Sequence, residues 1–425
     1  MKKLIISLTS LIVLSVVLIF AFKNKNYIRN ELFLIFPKSV QSIFRVIVSN
    51  ENNTYKLNND YNVKFLPETQ SFNLNLKKIK IKNDKLQTKG IFKKKIYNRT
   101  PIYLDILDNK LVISYKDSEI YYVGIPNLID LKNGEIINPL KINHNLSDIE
   151  ILDTLINDDS IYISTRIFEN NCQKFGIFKS DFNLKKLNFK NIFKDEECYV
   201  IAIQGGKMQF SKKLNKIIVS TAADIKKNLD RSDEKPQDNN SIMGKTLIID
   251  DENKSYRIYS KGHRNIIGLY IDDYHNIIAT ENGPRGGDEI NLIKDGFNYG
   301  WPIASYGEKD DYLPYKDKDK PYYKKNHKAY GFEEPIFAFV PSIGISEIIK
   351  ISNNFSNFWQ ETFLVGSLNG QHLYRIVFDD EYTKVKFYEK IFIGERIRDI
   401  KYYSKKRIIL LALEESGSIG ILNIE

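Results

Sequence analysis

The stretch Met208–Thr221, MQFSKKLNKIIVST, contains the pattern that decides the fold. A loosely alternating segment leads into a polar tight turn, and a short β-branched strand ending in Ser or Thr follows. Two such strands around a polar turn predict a β-hairpin. The pattern occurs six times along the chain, in Leu104–Tyr115, Leu152–Thr165, Met208–Thr221, Leu269–Thr280, Ile348–Ser367 and Ile400–Leu413.

Six equivalent hairpins favour a propeller, in which one blade takes roughly 40–50 residues and insertions lengthen some repeats. A β-sandwich would not need six equivalent hairpins, and almost no segment has the period of a long amphipathic helix. The sequence therefore predicts an all-β, six-bladed β-propeller that extends from about residue 60 to residue 425.

The N-terminus predicts a membrane anchor. Lys2 and Lys3 precede an uncharged, mostly apolar run, Leu4–Phe22, and about 19 helical residues nearly cross a hydrocarbon core of roughly 30 Å. A cleavable signal peptide would have a shorter apolar region and an exit of the Ala-x-Ala type, which the residues around Lys23 do not provide. We therefore predict an uncleaved anchor over residues 1–22 and a juxtamembrane linker over 23–59.

Charge and cysteine content restrict the function less. The formal charge is +10, but the Lys residues are scattered and no nucleic-acid-binding motif is present, so a solvated surface is the preferred interpretation. Cys172 and Cys198 have no metal-ligand spacing. In an oxidising compartment they would close a loop worth roughly 3 kcal/mol, and two unpaired buried thiols remain the alternative.

The segment Thr280–Pro302, TENGPRGGDEINLIKDGFNYGWP, is the most informative for function. Its glycines and Pro284 prevent a regular strand, and Asp288 and Glu289 add carboxylates directly after them. Calcium prefers six to eight oxygen ligands from carbonyls and carboxylates, so this loop is a candidate calcium site. A Gly-rich turn with surface acids is the alternative.

This segment resembles the signature of the quinoprotein glucose/sorbosone dehydrogenases, six-bladed propellers that bind pyrroloquinoline quinone (PQQ) and calcium. Further matches follow in the family's order: Gly262–Asn265, Phe363–Leu368 and Arg396–Asp399. The resemblance is specific over about residues 200–425. It implies a PQQ- and calcium-dependent oxidoreductase acting on aldose sugars or related alcohols, on the outer side of a cytoplasmic membrane.

The resemblance also implies roles for individual residues. The carbonyls of Gly283 and Pro284 would hold the calcium that contacts PQQ, and Glu289 and Tyr299 would bind a structural calcium. The expected quinone contacts are Arg264, Asn265, Arg396, Arg398 and, at the position of a family lysine, Asn369. Arg side chains bind carboxylates bidentately, and residues at i and i+2 of a strand share one face, so Arg396 and Arg398 can reach the same channel.

Two departures from the family leave catalysis open. The position of the family's catalytic His is Ile203, which cannot accept a proton, and Asn369 replaces a cation at the quinone. His144 and His372 are candidate substitutes, with a structural role as the alternative, and His263 is expected to orient the backbone. The second interpretation is therefore a catalytically degenerate, calcium-stabilised propeller that serves as a binding or sensing module.

Overall fold

The computed structural model describes residues 54–55, 74–82, 89–92, 95–98, 101–170, 172–199, 205–222, 235–284, 286–307, 323–356 and 358–424. All of them belong to the compact unit Asn53–Glu425. The predicted anchor over residues 1–22 lies outside the described residues, as do Ile203 and nearly all of the predicted linker. No helix in the described part of the chain has the length and apolar character needed to span a bilayer.

Six mainly antiparallel sheets of four or five strands form the blades. From the innermost strand outward, blade 1 contains Ile102–Leu107, Lys110–Tyr115, Ile120–Gly124, Leu140–His144 and Lys186–Leu187; blade 2 contains Ile149–Asn157, Ser160–Glu169, Cys172–Asp181 and Lys190–Lys194; blade 3 contains Gly205–Ser211, Lys216–Thr221, Lys245–Asp250 and Ser255–Lys261. Blade 4 contains Ile266–Ile271, Ile277–Glu281, Asp288–Ile293, Phe337–Phe339 and Thr54–Tyr55; blade 5 contains Ile345–Lys350, Thr362–Ser367, His372–Phe378 and Val385–Phe392; blade 6 contains Ile397–Tyr403, Ile408–Leu413, Ser418–Ile424, Leu74–Ile81 and Ile136–Ile137.

The six predicted hairpins are the first two strands of the six blades, so the predicted all-β propeller is confirmed. The second strand of each blade is rich in apolar, often β-branched residues, because both of its faces pack against neighbouring blades. In Ile408–Leu413, for example, every residue is buried. The tight turns use residues that tolerate the left-handed region, such as Asp158 at φ 49° and Asn215 at φ 52°. Local sequence thus determines each hairpin, and packing between blades assembles the ring.

The ring closes through a strand from the start of the propeller. Leu74–Ile81 pairs antiparallel with Ser418–Ile424, and blade 6 therefore joins a strand that precedes blade 1 in sequence to the last described strand. The short strand Thr54–Tyr55, within the predicted linker segment, pairs with Phe337–Phe339 at the edge of blade 4.

Helices are few and short. Ile125–Asp130 is an α-helix, and His327–Tyr330 and Ser404–Lys406 are 3₁₀-helices. A separate hairpin joins Lys89–Phe92 to Lys95–Asn98. Cys172 and Cys198 form a disulfide bond, which decides between the two alternatives left open by the sequence.

Charged residues meet where the innermost strands begin. Lys207 lies with its Nζ 2.9 Å from Oδ1 of Asp153 and 3.8 Å from Oδ1 of Asp399, and it also pairs with Glu347. All four are buried. Burial alone would lower the pKa of Lys207, but the three carboxylates raise it well above its ordinary value. We call these four residues the axial cluster; it ties four innermost strands together.

Candidate functional site

The predicted quinone and calcium residues lie in loops of three successive blades. Arg264 and Asn265 precede the innermost strand of blade 4, and Gly283 and Pro284 follow its second strand. Asn369 follows the second strand of blade 5, while Arg396 and Arg398 flank the first residue of the innermost strand of blade 6. In an antiparallel blade the loop before the first strand and the loop after the second lie at the same end. All seven residues therefore share one end of the propeller.

Arg396 and Arg398 clamp one buried carboxylate. Arg396 Nε donates to Glu414 Oε2 at 2.9 Å, and Arg398 Nη2 donates to Glu414 Oε1 at 2.9 Å. The two side chains therefore point to the same side of their strand, as their i, i+2 spacing predicts. Nε of Arg398 is buried without a hydrogen-bond partner among the described residues. This arrangement can receive a further carboxylate.

The charges of this clamp are permanent near neutral pH. Burial would raise the pKa of Glu414, but Arg398 and Arg396 outweigh it and hold the pKa at about 2. Two guanidinium groups and one carboxylate leave a net positive charge. Asn369 extends the clamp because its Oδ1 accepts a hydrogen bond from Arg396 Nη1 at 2.7 Å.

Arg264 is fixed by its neighbours on blade 4. Its Nη1 donates to the carbonyl of Asn282 at 2.6 Å, and its guanidinium lies 5.5 Å from the ring centre of Trp301. Its backbone amide donates to Glu281, which also lies 2.9 Å from His263 Nδ1. The expectation that His263 orients the backbone therefore agrees with these contacts. Arg264 is largely buried. Its guanidinium group lies beside the loop that contains Gly283 and Gly287, which we call the Gly-rich loop.

The Gly-rich loop is held in a tight conformation. A Cβ atom at Gly283 would lie 2.1 Å from the carbonyl oxygen of Gly287, so only glycine fits there. Asp288 fixes the loop by accepting backbone hydrogen bonds from Gly283 and Ile345, both at 2.9 Å. The carboxylate of Asp288 is thereby used to build the loop and is fully buried.

Glu289 and Glu281 are a buried carboxylate pair on neighbouring strands. The amide of Asn291 lies 3.3 Å from Glu289 Oε2 and 3.4 Å from Glu281 Oε2. Burial, and then the charge of Glu281, raise the pKa of Glu289 well above its ordinary value. No three His, Cys, Asp or Glu side chains converge as metal ligands anywhere in the described ranges. A metal here would therefore depend largely on backbone oxygens.

The chain has five histidines, all within the described residues, and the rings of four of them hydrogen-bond to neighbouring groups. His144 Nε2 lies 2.7 Å from the carbonyl of Ser118, and its Nδ1 accepts a hydrogen bond from the amide of Leu146 at 3.2 Å. His372 is buried and its Nδ1 contacts the carbonyl of Gly370. The structural interpretation of His144 and His372 therefore agrees with the geometry.

Of the remaining three histidines, two also hydrogen-bond through their rings. His263 uses Nε2 on Ser260 at 2.7 Å and Nδ1 on Glu281. His275 lies 2.7 Å from the hydroxyl of Ser211 at the other end of the propeller, in the turn between the first two strands of blade 4. His327 packs against Glu289. Burial raises the pKa of Tyr103, which lies near Arg398, to about 12, so this phenol is a poor base at neutral pH.

Sequence reasoning missed Glu414 and the axial cluster. Glu414 follows a buried strand without any motif, so only the folded structure pairs it with two arginines. The axial cluster has a weak signal, because charged residues interrupt the otherwise apolar innermost strands of several repeats. Examples are Asp153 in ILDTL, Glu347 in ISEII and Asp399 in IRDIK.

Comparisons with known proteins agree with this architecture. The sequence profile of the Glucose / Sorbosone dehydrogenase family matches residues 100–421. An aldose sugar dehydrogenase of Escherichia coli is 30% identical over 185 residues, which cover 43% of this chain and 48% of the relative. An uncharacterised protein of Synechocystis is 28% identical over 183 residues, covering 43% and 42%. The matches thus span less than half the length of these curated relatives.

Solved structures with the same fold include the apo-form of the soluble aldose sugar dehydrogenase from Escherichia coli. It has a TM-score of 0.61 at 18% identity and covers 83% of this chain and 99% of its own. The PQQ-bound aldose sugar dehydrogenase from Streptomyces coelicolor has a TM-score of 0.55 at 19% identity, covering 84% and 99%. At these identities the likeness concerns the fold. Because the family profile covers residues 100–421, three quarters of the chain, this protein belongs to the glucose/sorbosone dehydrogenase family.

Proposed function

We propose that this chain is a PQQ- and calcium-dependent oxidoreductase that acts on aldose sugars or related alcohols. The observation that carries the proposal is the clamp of Arg396 and Arg398 on Glu414. It places two guanidinium groups side by side in a geometry that already holds one carboxylate. PQQ carries three carboxylates, and planar guanidinium groups are the side chains best suited to bind them.

The residues present fit the cofactor in charge as well as in type. The Nε of Arg398, which has no hydrogen-bond partner among the described residues, would supply a donor for a PQQ carboxylate, and Arg264 would add a third cation from blade 4. Asn265 and Asn369 would supply amide hydrogen bonds. Because Asn369 stands where the family has a lysine, we expect weaker binding of PQQ than a fully cationic site would give.

The Gly283–Pro284 loop suits the calcium that would accompany PQQ. Gly283 is locked against Gly287, and the carbonyl of Pro284 accepts a hydrogen bond from Ser342 Oγ at 3.1 Å. A carbonyl oxygen has a second lone pair, so this hydrogen bond leaves room for a cation. Two successive carbonyls in a fixed loop match the oxygen ligands that calcium prefers.

Bound PQQ would accept a hydride from the carbon that carries the substrate hydroxyl group. The residues of this chain would orient the cofactor through Arg264, Arg396 and Arg398, and they would hold its negative charge in a site shielded from water. The hydroxyl proton needs an acceptor, and a positioned base contributes about 10²–10⁴-fold to such a rate. Ile203 offers no acceptor at the family position.

The engaged histidines favour a second candidate function. Four of the five histidines hydrogen-bond to neighbouring groups through their rings, and the carboxylates of Glu414 and Asp288 each accept two hydrogen bonds. A propeller that binds PQQ or a similar anion without turnover would use the same arginines. This binding or sensing module predicts PQQ affinity without sugar oxidation.

Dye-linked dehydrogenase activity on aldoses separates the two functions. With the full-length chain loaded with PQQ and calcium, Ile203→His should raise the turnover about 10²-fold or more, with PQQ affinity unchanged within about twofold. Ile203→Val is the matched control and should leave the activity at the wild-type level. Absence of activity in both wild type and Ile203→His, with PQQ bound, would favour the binding module over the enzyme.

We also propose that residues 1–22 remain attached and hold the propeller on the outer side of a cytoplasmic membrane. The length of the run Leu4–Phe22 and the missing cleavage site support this. Mass spectrometry of the mature N-terminus tests it. A chain that begins at residue 1 is expected, and a start near residue 23 would contradict the anchor.

A further inference from the structure

A buried imidazole lies between the two residues to which the family resemblance assigns a structural calcium. His327 is 1% exposed, and its Nε2 lies 3.6 Å from Oε1 of Glu289. Burial lowers the pKa of His327, against the charges of Glu334 and Glu281 and the nearby backbone groups of Tyr299 and Glu333, which would raise it. Neither ring nitrogen has a hydrogen-bond partner among the described residues. The ring therefore faces both Glu289 and the backbone of Tyr299.

The position of His327 is fixed by the surrounding chain. Its ring stacks on Tyr306 with centroids 5.3 Å apart and an angle of 7° between the planes. It begins the 3₁₀-helix His327–Tyr330, which Asn326 caps by accepting a hydrogen bond from the amide of Ala329 at 3.2 Å. The carbonyl of His327 accepts from the amide of Phe332 at 3.1 Å. The hydrogen bonds therefore fix the backbone at His327, and the stacking on Tyr306 holds the ring.

This arrangement does not fit calcium. A calcium ion takes six to eight oxygen ligands at about 2.3–2.6 Å, and an imidazole ring in the same space displaces several of them. Imidazole nitrogen is also a ligand that calcium avoids, because calcium is a hard cation that selects oxygen. The group that lies against the Glu289 carboxyl in this space is the His327 ring, with Nε2 3.6 Å from Oε1.

We propose that the side chain of His327 occupies the place of a structural calcium, so that this propeller is held together at Glu289 and Tyr299 without a metal ion. The proposal concerns only Glu289, Tyr299 and His327. It does not depend on PQQ binding or on the calcium proposed at Gly283 and Pro284.

Calcium titration calorimetry and thermal unfolding of the full-length chain, without PQQ, test this proposal. Wild type and Glu289→Gln should show the same calcium affinity and the same change of melting temperature, because neither binds calcium at Glu289. His327→Asn removes the ring and offers an amide oxygen, and it should gain one calcium per chain with an affinity at least about tenfold above wild type. Adding Glu289→Gln to His327→Asn should abolish the gain.

A matched control is His372→Asn, which changes another buried histidine in blade 5 and should gain no calcium. Loss of calcium binding when Glu289→Gln is introduced into wild type would overturn the proposal, as would a His327→Asn variant that folds and gains nothing. If His327→Asn does not fold, the comparison of wild type with Glu289→Gln decides by itself. A failure here would leave the proposed quinone site untouched, because none of these residues contacts the arginine clamp.

Discussion

Arg398 Nη2 donates a hydrogen bond to Glu414 Oε1 at 2.9 Å, and this pair links the innermost strand of blade 6 to the end of the strand beside it. Arg396 binds the other oxygen of the same carboxylate. Glu414, which no motif indicates, therefore holds together the two arginines of the proposed quinone site.

Glu414 should make stability depend on pH in the acid range. Its pKa is about 2 in the folded chain and 4.5 ordinarily, so its stabilising effect is complete above about pH 4.5 and is lost as the pH falls towards 2. At about 1.4 kcal/mol per pH unit this amounts to about 3 kcal/mol. Urea unfolding of wild type and Glu414→Gln should show a gap that closes by this amount between about pH 6 and about pH 2. The exposed Glu381→Gln variant is the control, and a pH-independent gap for Glu414→Gln would contradict the account.

Restoring the family's cation should strengthen cofactor binding. Asn369 Oδ1 contacts Arg396, so a lysine at residue 369 would add a positive charge beside the clamp. We expect Asn369→Lys to lower the Kd for PQQ about tenfold, equivalent to about 1.4 kcal/mol. Asn369→Gln, which keeps the amide and adds no charge, should not strengthen binding. An unchanged or higher Kd in Asn369→Lys would show that residue 369 does not face the cofactor.

The axial cluster should contribute strongly to stability. Removing one partner of a buried charge pair leaves the others uncompensated, which costs about 3–5 kcal/mol. Lys207→Met should therefore lower the free energy of unfolding by about this amount, as measured by urea denaturation. The matched control is Lys212→Met, because Lys212 pairs with Asp273 at 3.3 Å on the surface with both side chains about four-fifths exposed. A surface pair is worth about 1 kcal/mol or less. Equal effects of the two substitutions would contradict a structural role for the cluster.

The fold was predictable from the sequence because its information is local. Each hairpin, such as Met208–Thr221, places its strands and turn within about twenty residues, and repetition then indicates the propeller. The closing pair of Leu74–Ile81 with Ser418–Ile424 is not local. It joins segments more than 300 residues apart in sequence, and neither segment carries a signal for the other.

The common orientation of Arg396 and Arg398 was predictable from their i, i+2 spacing. Their shared partner, Glu414, was not predictable, because a carboxylate after a buried strand usually faces solvent. His327 belongs to no motif that links it to Glu289, and only folding brings the two side chains together. Contacts between blades and insertions depend on tertiary packing, which local patterns do not encode.

The most direct test of the account is a spectroscopic titration of the full-length chain with PQQ in the presence of calcium, following the absorbance of the quinone. The account predicts one PQQ per chain, with a Kd at least about tenfold higher in Arg398→Gln. The Kd for PQQ should be unchanged in the control Arg257→Gln, because Arg257 forms an exposed surface ion pair with Asp295. No binding by the wild-type chain, or equal affinity in Arg398→Gln, would contradict the proposal that the arginine clamp is a quinone site.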